Sequence, residues 1–169
     1  MRIGILSDSH GRAARTAQAV ATLRDAGADV LVHLGDVETE QVLDELTGHP
    51  AHLVFGNCDW NTQTLGRHAE FLGITVHDPL GVLHVGAARI AFTHGHRPEV
   101  MQQALADGVD YLLHGHTHQV RDERRGSTRI INPGALFRAG RYTVAVLEPE
   151  TDRLEIVELG DRGSASGHD

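Results

Sequence analysis

Apolar positions in this chain come in short blocks, each broken by a polar cluster before it can grow long. Residues 2–7 (RIGILS) predict a buried strand, and over 12–26 Ala17, Val20, Ala21 and Leu23 form a helical stripe that Gly27 closes. A second apolar run follows at 30–34 (VLVHL). Val42, Leu43 and Leu46 then mark a short helix stopping at Gly48, and 52–55 (HLVF) supplies a third strand. This β-α-β-α-β opening predicts parallel strands joined by right-handed crossovers, with helices packed on the sheet.

The second half has a different rhythm. LHV (83–85) and RIAFTH (89–94) flank Gly86, Ala87 and Ala88, which predicts a hairpin. Pro98 suits the first turn of a helix whose inner face holds Val100, Ala104 and Leu105 and which ends at Gly108. Strands are predicted at 111–114, 128–131, 142–147 and 154–159, the last two joined by an acidic turn at 148–153, so parallel pairing is expected to give way to hairpins. The tail from 160 to 169 (GDRGSASGHD) is too polar and too rich in Gly and Ser to pack, and disorder is expected there. One domain over 1–159 is the expectation, because 169 residues bury one core comfortably and not two.

Five polar clusters stand directly after five of the apolar runs: SDSHG (7–11), GDV (35–37), GNCD (56–59), THGH (93–96) and HGHTH (114–118). In an open α/β sheet the crevice at the carboxyl ends of the strands takes ligands, so these clusters can converge on one site. Their carboxylates, Asn carbonyl and neutral imidazoles suit Mn²⁺, Zn²⁺, Fe²⁺ or Ni²⁺ better than Mg²⁺ or Ca²⁺. Seven donors exceed the need of one ion, which points to two divalent transition metals sharing a ligand. Asp36, alone in its loop after Gly35, is the natural bridge, and Mn²⁺ is the first choice of metal.

Composition removes other classes. A net charge of -8 repels a phosphate backbone, and 4% aromatics leave few stacking platforms, so no dedicated nucleic-acid binding is expected. No apolar stretch is long enough to cross a bilayer. The single cysteine cannot form an internal disulfide, and the opening MRIGILSD lacks the layout of a signal peptide, so a cytoplasmic setting is expected. Strand and hairpin edges leave a homo-oligomer open.

The ordered motifs D-x-H, GD, GN-x-D, H-G-H and G-H-x-H, spread from residue 8 to 118, resemble the calcineurin-like metallophosphoesterase superfamily, and among its members the small bacterial and archaeal phosphodiesterases. That resemblance implies a four-layer α/β/β/α sandwich of two mixed sheets flanked by helices. It implies one metal on Asp8, His10, Asp36 and His118 and another on Asp36, Asn57, His94 and His116. Asn57 and His96 become the catalytic candidates, His96 through phosphate binding or proton movement. In many relatives the position of Cys58 holds histidine, so Cys58 is read as a replacement rather than a ligand or nucleophile. Asp59 is expected to steady its loop and Asn132, in INPGA (131–135), to hydrogen-bond groups behind the ligands. The implied activity is hydrolysis of a small phosphate diester by water activated between the metals. The alternatives are a phosphomonoesterase, a non-catalytic protein-interaction scaffold of the same fold, and a metal store.

Other histidines fall outside this set. His33, between Leu31, Val32 and Leu34, is expected to be a packed or hydrogen-bonded core residue, and His49, His52, His68, His77 and His84 to lie at surfaces or turns. His114 is a minor candidate for support behind the ligands. RDERR (121–125) reads as a solvated loop, and the segments 60–70 and 119–127 are expected to be loops that shape the substrate pocket.

Overall fold

The structure, a computed structural model, describes residues 1–160. The polar tail therefore lies, beyond Gly160, outside the described residues. The elements in chain order are β1 (Ile3–Leu6), α1 (Ala13–Asp25), β2 (Val30–His33), α2 (Glu40–Asp44), β3 (Ala51–Leu53), α3 (Thr62–Phe71), β4 (Thr75–Val76) and β5 (Gly81–Val85). There follow β6 (Ala88–Phe92), α4 (Pro98–Ala106), β7 (Tyr111–Leu113), β8 (Arg121–Arg125), β9 (Thr128–Asn132), β10 (Thr143–Glu148) and β11 (Arg153–Glu158).

Two mixed sheets result. The first runs β11-β10-β1-β2-β3-β4, with β1 to β4 parallel and the β10-β11 hairpin antiparallel beside β1. The second runs β5-β6-β7-β9-β8, with β6, β7 and β9 parallel between antiparallel outer strands. The expected change from parallel pairing to hairpins is thus corrected: the second sheet has hairpins at its edges and a parallel centre. Helix α4 carries the chain between β6 and β7, and that crossover is what keeps them parallel.

The layers can be read from side-chain alternation. In β1, Ile3 and Ile5 point between the sheets, where they meet Ile90, Phe92, Leu113 and Ile131. Leu6, with Leu31, Leu53 and Val144, belongs to the opposite face, which Val20 and Leu23 of α1, Val42 and Leu43 of α2 and Leu65 of α3 cover. Ala91, Leu112 and Ile130 line the outer face of the second sheet against Met101, Ala104 and Leu105 of α4. Three apolar interfaces separating four layers make the α/β/β/α sandwich, and strands buried on both faces explain continuous runs such as VLVH.

Two segments differ from expectation. Residues 62–71 are helix α3, not loop; only Leu65 and Ala69 of it are buried, and Asn61 caps it by accepting from the Thr64 N–H at 3.4 Å. RDERR is an edge strand, β8, exposed along nearly its whole length, so no apolar alternation marks it. Its charges suit an edge that has no further strand to pair with. His33 is fully buried and hydrogen-bonded, whereas His52 and His77 form a half-buried pair with ring nitrogens 3.0 Å apart.

Gly81 faces Phe92 across β5 and β6, and a methyl group there would overlap the Phe92 ring. Gly81→Ala is expected to destabilise the fold by roughly 1–3 kcal/mol in urea unfolding. Gly140→Ala, where a methyl would meet nothing, should stay within about 0.5 kcal/mol of the parent.

Candidate metal centre

All the parallel strands of the two face-packed sheets deliver their carboxyl ends to one edge of the sandwich. β1 leads into Asp8 and His10, β2 into Asp36, and β3 into Asn57; β6 leads into His94, and β7 into His116 and His118. The loops must reverse at once after the strands, and Asp8, His10, Asp36, His116 and His118 all adopt left-handed backbone angles, with φ from 44° to 68°. Such conformations are costly for residues with side chains and cluster where function constrains the chain. Hydrogen bonds hold them: Asp8 N–H to Gly35 O at 3.0 Å, His10 N–H to Asp36 O at 2.8 Å, Gly115 N–H to His94 O at 2.9 Å.

Asp8, His10 and His118 form one group able to surround a cation, and Asp8, Asp36 and His94 form another. His118 Nε2 lies 3.2 Å from Asp8 Oδ1, and His10 Nε2 lies 3.3 Å from His118 Nε2. Asp36 Oδ2 stands between the groups, 3.5 Å from His10 Nε2 and 3.3 Å from His94 Nε2. Asn57 Oδ1 is 3.1 Å from His94 Nε2. His116 is outside these compact groups; its ring meets the His94 ring edge-on at 5.2 Å, and its N–H donates to Asp8 Oδ2 at 3.1 Å. Cys58 joins His10 and Asp36 in a third group, so the thiol lies within reach of a cation there.

The imidazoles are aimed from behind. His94 Nδ1 donates to Leu34 O at 2.7 Å, His10 Nδ1 to the Glu38 carboxylate at 2.7 Å and His118 Nδ1 to Arg138 O at 3.4 Å. With Nδ1 donating, a neutral ring turns the lone pair of Nε2 inward. Asp8 Oδ1 is buried without a hydrogen bond, facing those inward nitrogens. Converging lone pairs and an orphaned carboxylate oxygen repel one another unless a proton or cation lies between them, and the mixed N/O set fits divalent transition-metal ions.

The charges follow. Burial opposes ionisation of Asp36, but His94, the Cys58 N–H and His10 outweigh it and bring its pKa down to about 2. Burial likewise opposes the Asp8 carboxylate, yet His118, His94 and the Ser7 hydroxyl, 2.5 Å away, hold its pKa below the usual range. His118 is raised by its contact with Asp8; His94 is raised because Asp36 and Asp8 outweigh its burial. Burial and the neighbouring His94 lower His96 and His116. Burial and Asp36 push the Cys58 thiol up to about 11, so it stays protonated at neutral pH.

Three buried groups brace the loops. The Asp59 carboxylate accepts from the N–H groups of Asp36 at 2.9 Å, Glu38 at 2.8 Å and Gly56 at 2.8 Å, tying the second loop to the third. Asn132 donates to Gly115 O at 3.0 Å and Thr117 Oγ1 at 3.1 Å and accepts from Gly134 N–H, which fixes the HGHTH loop. His33 accepts from Gly35 N–H at Nδ1 and so donates from Nε2 to Ser9 Oγ at 2.7 Å; burial lowers its pKa to about 4 and keeps it neutral. At Gly56 a Cβ would overlap the Asp36 carboxylate, and at Gly115 it would overlap Ser7 Oγ.

His96 lies beside His94 and His116, at 5.3 and 6.2 Å between ring centroids, with a buried Nδ1 that has no partner. His114 turns away, Nδ1 to Gly115 O at 3.0 Å and Nε2 to Arg121 at 3.2 Å. Sequence reasoning missed Glu38 behind His10, and missed Arg12, Phe137 and Arg138, which line a cleft of about 570 Å³ beside His10 and His118. An unclaimed aromatic directly before Arg138 in FRAGR (137–141) was the available signal.

A family model of the calcineurin-like phosphoesterase superfamily domain matches residues 1–152. A phosphodiesterase of Methanocaldococcus jannaschii is 26% identical over 94% of this chain and 99% of its own length. The probable metallophosphoesterase YsnB of Bacillus subtilis is 32% identical over 88% of this chain and 85% of its own length. Among solved structures, that of an archaeal phosphodiesterase superposes with a TM-score of 0.86 at 25% identity, covering 94% of this chain and all of the other.

Asp59→Ala would leave three loop N–H groups without their acceptor, and a loss of roughly 2–4 kcal/mol is expected by urea unfolding of the metal-free chain. Unchanged stability would mean that the loops are held by something else.

Proposed function

This chain belongs to the calcineurin-like phosphoesterase superfamily, and from that premise we propose that it is a phosphodiesterase working with two divalent transition-metal ions. It is a metal-dependent phosphoesterase by family; the diester, the pair of ions and the residues are our reading. The observation that carries it is Asp36 Oδ2, within 3.5 Å of imidazole nitrogens from both groups of donors. In this reading Asp8, His10, Asp36 and His118 would hold one ion and Asp36, Asn57, His94 and His116 the other, with Asp36 common to both sets. Four imidazoles favour Mn²⁺, or Zn²⁺, Fe²⁺ or Ni²⁺, over Mg²⁺. Such ions, when bound, lower the pKa of a shared water and neutralise charge growing on the phosphate oxygens. The substrate is a small phosphate ester. No helix among the described residues is long and apolar enough to cross a membrane; a cytoplasmic setting and no dedicated nucleic-acid binding complete the reading.

The chain's own groups then have distinct tasks. Asp36 and Asp8 stay ionised and concentrate negative charge for the cations. Asn57, exposed beside His94, presents an amide that can also contact a phosphate oxygen. His96 has a buried ring nitrogen with no partner, which can bind a phosphate oxygen; in its protonated form, which burial and the neighbouring His94 disfavour, the ring can pass a proton to the departing oxygen. Cys58 stands where an imidazole would protonate the leaving group, and a thiol of pKa about 11 is a far weaker acid. Departure should therefore depend on how well the leaving group bears its own charge.

Exhaustive chelation should abolish hydrolysis of bis(p-nitrophenyl) phosphate and Mn²⁺ should restore it; full activity in a preparation shown metal-free by elemental analysis would refute the reading. Asp36→Asn should reduce bound metal below two per chain and lower turnover by at least about 100-fold.

Aryl and cyclic diesters should be hydrolysed well and alkyl esters poorly. Cys58→His should raise alkyl turnover by about tenfold or more, and His96→Ala should lower it more than aryl turnover. Loss of every activity in Cys58→Ser with both metals still bound would instead give the thiol a direct chemical role.

A further inference from the structure

We propose that Arg12, Phe137 and Arg138 form a second subsite, which binds an anionic group carried by the ester beyond the phosphate that is hydrolysed. The proposal rests on the phosphodiesterase reading and specifies its substrate class: phosphate esters with a second negative charge.

The cleft opens directly beside His10, His118 and Cys58, and the Phe137 ring lines it, its centroid 5.5 Å from that of His10. The guanidinium of Arg12 lies 4.3 Å from that ring's centroid and that of Arg138 lies 5.1 Å from it. Stacking on an aromatic face fixes the plane of each guanidinium at modest cost and leaves its N–H edge free, which is the geometry for two-point recognition of phosphate or carboxylate. Neither arginine meets a carboxylate partner among the described residues; Arg15, Arg24, Arg67, Arg89 and Arg125 also lack one, but Arg12 and Arg138 are the two that line this cleft. Glu38 is the carboxylate that lines the cleft, and it is directed to His10 Nδ1 at 2.7 Å. Two uncompensated cations therefore face the mouth of the site in a chain whose net charge is -8.

Their placement is held against resistance. Arg12 sits at the N-cap of α1, whose first turn contains no acid, and there the helix dipole disfavours a cation. Arg138 has φ 48°, and its carbonyl accepts from His118, so the backbone that braces a candidate ligand also aims this side chain. A bound anion relieves the repulsion at α1 and satisfies both guanidiniums. The phosphate undergoing hydrolysis lies toward Asn57, His94 and His96 in the reading above, across Asp36 from this cleft. A second charge on the same ester would reach the arginines through the cleft, which His10 and His118 also line.

The test compares the p-nitrophenyl ester of thymidine 5′-phosphate with the same ester bearing a 3′-phosphate, using the Mn²⁺-loaded full chain. The doubly charged ester should have a kcat/KM about tenfold higher, mostly through KM. That preference should shrink severalfold in Arg12→Gln and in Arg138→Gln, return in part in Arg12→Lys, and vanish in the double glutamine variant. Arg24→Gln, which removes the same charge from a remote exposed position on α1, should keep it. Calorimetric binding of thymidine 3′,5′-bisphosphate against thymidine 5′-monophosphate repeats the comparison without turnover. A chain that hydrolyses neither ester but still prefers the bisphosphate keeps this subsite and loses the diesterase reading. Equal kcat/KM for the two esters in the parent, or a preference undiminished in the double variant, overturns the subsite, and the second result would mean that the arginines act on the hydrolysed phosphate or not at all.

Discussion

Two carboxylates, Asp8 and Asp36, are buried within reach of the same imidazoles, and most of what surrounds them serves to keep those negative charges together. An isolated carboxylate resists transfer from water into a protein interior, and a pair resists it more. The chain answers with backbone N–H groups of Cys58 and His116 and the hydroxyl of Ser7 donating to Asp36 and Asp8, and with imidazoles that can take up a proton or a cation. Ions that bound this cluster in the folded chain alone would stabilise it by mass action, which would couple metal binding to folding.

The architecture is what makes such a cluster affordable. Each loop alone is a turn of a few residues with an unfavourable backbone, and none would hold its shape in isolation. Packing the sheets face to face brings two sets of parallel strand ends together, and hydrogen bonds cross between them, among them His94 Nδ1 to Leu34 O and His116 N–H to Asp8 Oδ2. Asp59 adds the third loop to the second. The strain at Asp8, His10, Asp36, His116 and His118 is thus carried by contacts from several elements, and the apolar interior between the sheets maintains the register that those contacts require.

Legibility from sequence followed the same physics. Apolar runs and the donors that end them lie side by side in the chain, so β1, β2, β3, β6 and β7 and the polar clusters after them were visible without coordinates. Helix α3 was not, because its buried face is reduced to Leu65 and Ala69 and Gly66 interrupts it. Strand β8 was not, because an edge strand exposed on both faces has charges where alternation would be. The parallel placement of β7 beside β6 and β9 depends on crossovers whose direction no local pattern records. Glu38, Arg12, Phe137 and Arg138 escaped for a further reason: each matters through a neighbour distant in sequence, and none stands in a motif of its own.

The site is consequently asymmetric in how it treats charge. On the His94 side, Asn57, His96 and His116 offer neutral groups, and burial keeps the His96 and His116 rings from charging. On the His10 side, Glu38 adds a carboxylate behind the ring while Arg12 and Arg138 add cations in front of it. In the proposed reading the ions supply the positive charge where the phosphate changes its bonding, and the neutral groups on that side orient it. Fixed cations suit the place where an unreacting part of the substrate is gripped, because interactions remote from the reacting atoms can be used to position them. On the proposed reading, a weakly acidic thiol in the loop between makes this chain rely on orientation and on the charge its substrate already carries more than on proton delivery from the GNCD loop.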